Sequence, residues 1–213
     1  MWNNRAMSNR YWISVVAVAL AAAIAGVYVA RVVSQPAVAS LESGTLLPRP
    51  KVLADFALVD TQGAAASPAS LRTHPTLVFF GFTHCPDVCP TTLALLASVQ
   101  KQVAMPNLKV ALISVDPERD TPQQLGKYIS SFGGDLIGLT GTPPEISKVT
   151  RSFGVAAARV DLPGGDYTMD HSATVFALDS DARVVAVFTP PFNAGAMARD
   201  VVRLTPVLGS ARG

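Results

Sequence analysis

The hydropathy of the chain changes character as it is read from the N-terminus. The stretch 11-YWISVVAVALAAAIAGVYVA-30 has no charge and no polar face, and Arg10 and Arg31 bracket it. Such a run predicts a helix that is apolar all round. At about 1.5 Å per residue it reaches roughly 30 Å, the thickness of a bilayer hydrocarbon core. Tyr11, Trp12 and Tyr28 sit near its ends, where amphipathic rings favour the membrane interface. Residues 31–50 then mix Ser, Gln and Pro with scattered apolar residues, which reads as a linker.

Beyond residue 50 the pattern alternates between strand-like and helix-like segments. Residues 54–60, ADFALVD, alternate as a strand does. Residues 76–82, TLVFFGF, form a short continuous apolar run, the signature of a strand buried on both faces. Further strands are predicted at 109–115, 136–139, 172–178 and 184–188, the last two joined as a hairpin through 179–183. Helical spacing predicts helices over 91–103, from Pro122 to Phe132, from Pro143 to Phe153, and over 194–204. Thr121 before Pro122 and Thr142 before Pro143 are N-cap and first-turn signals. No internal repeat is present. The order of elements predicts an α/β fold with a central mixed sheet flanked by helices. The chain divides into a cytoplasmic N-terminus (1–10), a transmembrane anchor (11–30), a linker (31–50), one α/β domain (51–208) and a tail (209–213).

Charge and composition narrow the function. Arg5 and Arg10 precede the apolar run, so the N-terminus is expected in the cytoplasm and the domain on the periplasmic side of the inner membrane. Ala37-Val38-Ala39 resembles a signal-peptidase site, but the apolar run exceeds the usual signal-peptide core of about 7–15 residues, which favours an uncleaved anchor. The net charge is only +2 and no Lys/Arg run lies outside the terminus, which argues against a nucleic-acid partner. Two cysteines are too few for a disulfide-stapled scaffold.

Those two, Cys85 and Cys89, stand four apart in 79-FFGFTHCPDVCPTTLALL-96, each followed by proline. Pro90 suggests a helix starting near residue 90, with both sulfurs just before its N-terminus. The positive helix end there is expected to favour thiolates. Burial as small hydrophobes, a structural disulfide, a thiol redox pair and a metal site are the alternatives. A bridge closing so small a loop removes little unfolded-state entropy, so chemistry is the better reading. A metal needs further donors, and His171 in 167-YTMDHSATVF-176 enters the next strand. If His171 meets the thiols, two soft sulfurs and an imidazole suit Cu(I), and Cu(II) as a second state. Asp87 and Asp170 are nearby acids able to orient the imidazole. Met169 reads as a packing residue, His74 as a solvated loop histidine, and His84, next to Cys85, as a ring turned away from the thiols.

GFTHCPDVCPTTL (81–93), ISVDPERDTPQQLGKY (113–128), LIGLTG (136–141) and YTMDHSATVFALD (167–179) occur in this order and resemble the Sco/SenC family of membrane-anchored copper proteins. The resemblance covers about residues 50–205. It implies a thioredoxin-like fold and copper held by Cys85, Cys89 and His171, with Asp87 and Asp170 beside the site. It also implies delivery of that copper to the copper-accepting subunit of cytochrome c oxidase, whose dinuclear centre the family helps to assemble. A second implied activity is thiol–disulfide exchange, in which Cys85 and Cys89 reduce the cysteines of that oxidase site. Phe153 stands where many members have Tyr, and Asp181-Ala182-Arg183 replaces the usual glycine of the hairpin turn.

Overall fold

The computed structural model describes residues 9–33 and 41–209, which fall into two compact units, Met1–Ala39 and the domain from Ser40 onward. In the first unit, α1 runs from Asn9 to Val33 and so extends past both ends of the predicted apolar stretch. Its side chains are described over 12–27, where Ile13, Val18 and Ile24 are exposed. Among the described residues no helix is long and apolar enough to cross a membrane. The candidate cleavage motif at Ala37–Ala39 lies outside the described residues.

The domain is built on one eight-stranded sheet in the order β1-β10-β9-β4-β5-β6-β2-β3. In chain order these are β1 (Gly44–Val52), β2 (Leu58–Asp60), β3 (Ala65–Ala66), β4 (Thr76–Gly81), β5 (Lys109–Ser114), β6 (Leu136–Thr140), β9 (Val175–Leu178) and β10 (Arg183–Phe188). A separate two-stranded sheet pairs β7 (Ala157–Asp161) with β8 (Tyr167–His171). The helices are α2 (Val88–Gln102), α3 (Pro122–Ser130), α4 (Pro143–Phe153), α5 (Ala194–Arg203) and the short α6 (Thr205–Leu208). β4 and β5 are parallel, as are β5 and β6, whereas β9, β10, β1 and β2 join antiparallel, so the sheet is mixed as predicted. α2 packs on β5 and α5, and α3 on β6.

The apolar run 76–82 behaves as its pattern requires. β4 lies between β5 and β9 and every one of its residues is buried. Phe80, Phe153 and Phe176 meet edge to face, with ring centres 5.1 to 6.1 Å apart. Phe153 is buried in this aromatic cluster, where it brings no hydroxyl in need of a partner. The hairpin turn at 179–183 forms as predicted, and Ala182 takes φ 61°, a left-handed conformation that glycine favours.

Two departures from the sequence reading follow from local physics. Residues 44–50, assigned to the linker, are an edge strand. Pro48 and Pro50 fall where the β1–β10 register shifts between Leu46 and Lys51, a place that tolerates missing N–H donors. The buried carboxylate of Asp200 on α5 fastens this strand. It accepts the backbone N–H groups of Glu42 (2.7 Å), Ser43 (2.7 Å) and Gly44 (3.0 Å) and the Ser43 hydroxyl (3.0 Å). Secondly, the strand expected at 172–178 begins only at Val175, as β9, and a separate strand not expected from the sequence, β8, precedes it and ends at His171.

Candidate metal centre

The site forms where β4 gives way to α2, at the carboxyl end of a parallel strand, as α/β sheets favour. β4 ends at Gly81, and the turn that follows is tied by the Cys85 amide donating to the Phe82 carbonyl (3.3 Å). Beneath it, the buried Asp120 carboxylate accepts the Thr83 amide (3.1 Å), the Thr83 hydroxyl (2.5 Å) and the Ser114 hydroxyl (2.6 Å). Burial pushes the Asp120 carboxyl up, against the opposing pull of its Ser114 and Thr83 hydrogen bonds. Asp120 thus anchors the base of the cysteine turn to the end of β5.

α2 starts at Val88 with Asp87 as its N-cap residue, two positions earlier than Pro90 suggested. Pro90 is accommodated because the first helical turn has no intrahelical use for its N–H. The shift separates the two cysteines. Cys85 lies half-buried in the turn, whereas Cys89 sits in the first helical turn, wholly buried, with its amide 3.4 Å from the Cys85 sulfur. Gly81 makes room for it: a Cβ on that residue would stand 3.0 Å from Cys89 Sγ. The expected thiolate-favouring setting does not hold for Cys89. Burial pushes its thiol well above the ordinary value, and contact with Cys85 adds to the rise. Desolvation is the largest effect on it, against a smaller downward pull from the hydrogen bond with the Phe82 backbone.

The structure brings His171, from the end of β8, to this sulfur. Its Nε2 lies 3.6 Å from Cys89 Sγ and its Nδ1 3.2 Å from the Ser172 carbonyl oxygen. A carbonyl only accepts, so Nδ1 carries the proton and Nε2 presents its lone pair to the sulfur. Burial lowers the His171 pKa, which keeps the ring neutral, against smaller upward pulls from the Ser172 carbonyl and Asp170. The rings of Phe79 and Phe82 pack edge-on at 6.0 and 5.9 Å from the imidazole.

The two acids expected beside the site contribute less directly. Asp170 is exposed and acts on His171 through its charge, while the carbonyl of Ser172 orients the ring. Asp87 is exposed at the head of α2 and accepts a long hydrogen bond from the Thr91 hydroxyl (3.4 Å). His74 remains in its loop beside Thr76. His84 is exposed and comes with Asp116 and Asp120 into a group whose ligand atoms lie within 4.8 Å of one another. Both of those carboxylates are already occupied, Asp120 as above and Asp116 by Arg119 and Tyr167. Sequence reasoning missed Gly81, Thr83 and Asp120. The only signal for them was their place at the ends of β4 and β5, flanking the cysteine turn.

A neutral imidazole beside the Cys89 sulfur, with the Cys85 sulfur next to it, at the carboxyl end of the central strand β4, is the kind of donor group that suits a soft metal ion. Two such donors on one first-row ion, at about 2.3 and 2.0 Å and near-tetrahedral angles, stand about 3.5 Å apart, close to the 3.6 Å between Cys89 Sγ and His171 Nε2. Residues 45–206 match the SCO1/SenC family, and the chain belongs to it. It is 35% identical to the mitochondrial SCO1 homolog 1 of Arabidopsis thaliana over 151 residues, 70% of this chain and 45% of that protein. Its matches thus span about half the length of the mitochondrial relatives. Among solved structures, Bradyrhizobium japonicum ScoI with copper bound is 44% identical, with a TM-score of 0.66 over 71% of this chain and 98% of that one. Copper-bound ScoI of A. thaliana is 32% identical, with a TM-score of 0.70 over 73% and 99%.

Proposed function

We propose that this protein binds copper through Cys85, Cys89 and His171 and delivers it to the copper-accepting subunit of cytochrome c oxidase during assembly. One observation carries the reading: a neutral imidazole presents Nε2 to a buried cysteine sulfur at 3.6 Å, with the second sulfur beside it. Copper is the cargo. Soft sulfur donors favour Cu(I), and the imidazole allows Cu(II) to be held as well. The copper-bound ScoI relatives support the choice of metal. Three protein donors leave room for an incoming ligand, so the ion passes to the acceptor by exchange without first entering water. Asp87 and Asp170 supply negative charge around a site that gains a cation. The uncharged run 11–30, with Arg5 and Arg10 ahead of it, supports anchoring in the inner membrane with the N-terminus in the cytoplasm and the domain in the periplasm, although no described helix meets the length and apolarity of a membrane span. No nucleic acid takes part.

Thiol–disulfide exchange on the acceptor is the second reading, favoured by the accessibility of Cys85 beside a reduced partner. The two readings differ in their need for the imidazole. Copper affinity of the reduced protein, measured by competition with a chromophoric Cu(I) chelator, is expected to drop at least tenfold in His171→Ala. Reduction of a model disulfide is expected to persist in that variant. Undiminished copper affinity in His171→Ala would overturn the three-donor site.

A further inference from the structure

His171 is carried by an element that the main sheet does not hold. β7 and β8 pair only with each other, and every residue of β7 is exposed. A lone two-stranded hairpin is marginally stable in water. This one meets the core along β8, where Met169 is partly buried against it and the His171 ring packs on Phe79 and Phe82. Beneath it lies a cavity of about 190 Å³, lined by Ala157, Ala158 and Met169 on the hairpin and by Ile146 on α4. Its turn carries Gly164 and Gly165 at φ 88° and 87°.

A clasp at the start of β8 adds to that hold. The Tyr167 hydroxyl donates to Asp116 Oδ1 (2.8 Å), and Arg119 Nε donates to Asp116 Oδ2 (2.5 Å). Arg119 Nη1 donates to the Tyr167 carbonyl (2.9 Å). The guanidinium groups of Arg119 and Arg159 each lie 3.7 Å from the centre of the Tyr167 ring, so they must occupy opposite faces. Asp116 is buried, which strengthens its charge-assisted bonds. Tyr167, Met169 and His171 alternate onto one face of β8, so the clasp and the imidazole share a rigid strand. Arg119 and the imidazole also both approach the Phe82 ring, at 6.0 and 5.9 Å.

We propose that Arg119, acting with Asp116 and Tyr167, is a positioning residue that holds the β7–β8 hairpin closed and thereby keeps His171 at the sulfurs. The inference rests on the three-donor copper site. With the clasp made, the imidazole is in reach and copper is retained. When the clasp opens, the hairpin swings over the cavity, the imidazole leaves, and a two-sulfur site is exposed for transfer. If only a fraction of molecules keeps the hairpin closed, the apparent affinity falls by that fraction.

The test is a double-mutant cycle on the full chain, read by Cu(I) competition titration and by hydrogen exchange of the β8 amides. Arg119→Met keeps an aliphatic stem on the Tyr167 ring but removes the forked bonds. It is expected to speed β8 exchange and to weaken copper binding roughly tenfold. In a His171→Ala background the same change is expected to add no further loss, because Arg119 acts through the imidazole. A merely structural role would weaken binding equally in both backgrounds, and that result overturns the proposal, as does unchanged affinity with unchanged β8 exchange. If Arg119→Met does not fold, Tyr167→Leu opens the same clasp and carries the same expectations. Failure of the copper site itself reads differently: His171→Ala alone would then leave copper binding intact, whatever Arg119 does.

Discussion

Gly81 offers the sharpest link between packing and metal binding. A methyl group added there would meet Cys89 Sγ at 3.0 Å, Phe79 Cε1 at 3.0 Å and Leu112 Cδ1 at 3.2 Å. Ordinary contacts between such atoms lie near 3.5–4.0 Å, so the neighbours must retreat by about half an ångström. None has free space, because Phe79, Cys89 and Leu112 are all fully buried. Overpacking of this kind costs about 1–3 kcal/mol. For a domain of this size each kcal/mol lowers the midpoint by roughly 2–4 °C. Gly81→Ala is therefore expected to lower the thermal midpoint of the apoprotein by about 3–10 °C. Because the sulfur is one of the three atoms that must move, copper affinity is expected to fall as well, about tenfold for each 1.4 kcal/mol of distortion. Gly138→Ala is the control. Its methyl would meet Thr61, Leu125 and Ile129 at 2.8 to 3.1 Å on β6, with no sulfur involved. It is expected to destabilise by a similar amount and leave copper affinity unchanged. The assays are thermal unfolding by circular dichroism and Cu(I) competition. If Gly81→Ala matches the parent in both, or if the two variants weaken copper equally, the reasoning about Cys89 placement fails.

Two further expectations concern protons. Burial would raise the Asp200 carboxyl, but the Glu42, Ser43 and Gly44 hydrogen bonds outweigh it and hold the group below its ordinary value. Its stabilisation is therefore complete above the unfolded carboxylate range near pH 3.9 and disappears as pH falls through the lower folded value. Asp200→Asn sets an amide NH2 against backbone donors in either orientation. It is expected to cost about 2–4 kcal/mol in urea unfolding at pH 7 and to flatten the stability loss below pH 4; equal acid profiles would contradict this. The raised Cys89 pKa means that its thiol is protonated at neutral pH, so Cu(I) uptake as a thiolate complex must release at least that proton. Calorimetry in buffers of different ionisation enthalpy is expected to show it, with affinity rising as pH rises; loading without proton release would show that Cys89 does not bind as thiolate.

How much of this was legible beforehand depended on whether the deciding physics was local. The run 76–82 announced a doubly buried strand because a central parallel strand has no polar face to show. The Thr121 cap formed as its sequence indicated, with the reciprocal Gln124 bond. β1 was hidden because two prolines in nine residues argue against a strand unless it lies on an edge, and edge position is a tertiary fact. The candidate donors Cys85, Cys89 and His171 stood out as rare side chains in a punctuated turn and at a strand end. The family resemblance joined them, and the fold places the imidazole and the sulfurs together. The Cys89 thiol was misjudged because a helix terminus can be read from sequence, whereas complete desolvation depends on Gly81 and on His171 arriving from 82 residues away. The Arg119–Tyr167 clasp was invisible for the same reason: its members are ordinary surface residues until the hairpin folds over.

The most direct test of the central claim is X-ray absorption at the copper edge of the reduced, copper-loaded protein, alongside its His171→Ala variant. Two sulfur neighbours and one imidazole nitrogen per copper, with the nitrogen shell lost in the variant, are the expected result. A shell of sulfur alone in the parent protein, or a nitrogen shell that survives removal of His171, would contradict the account.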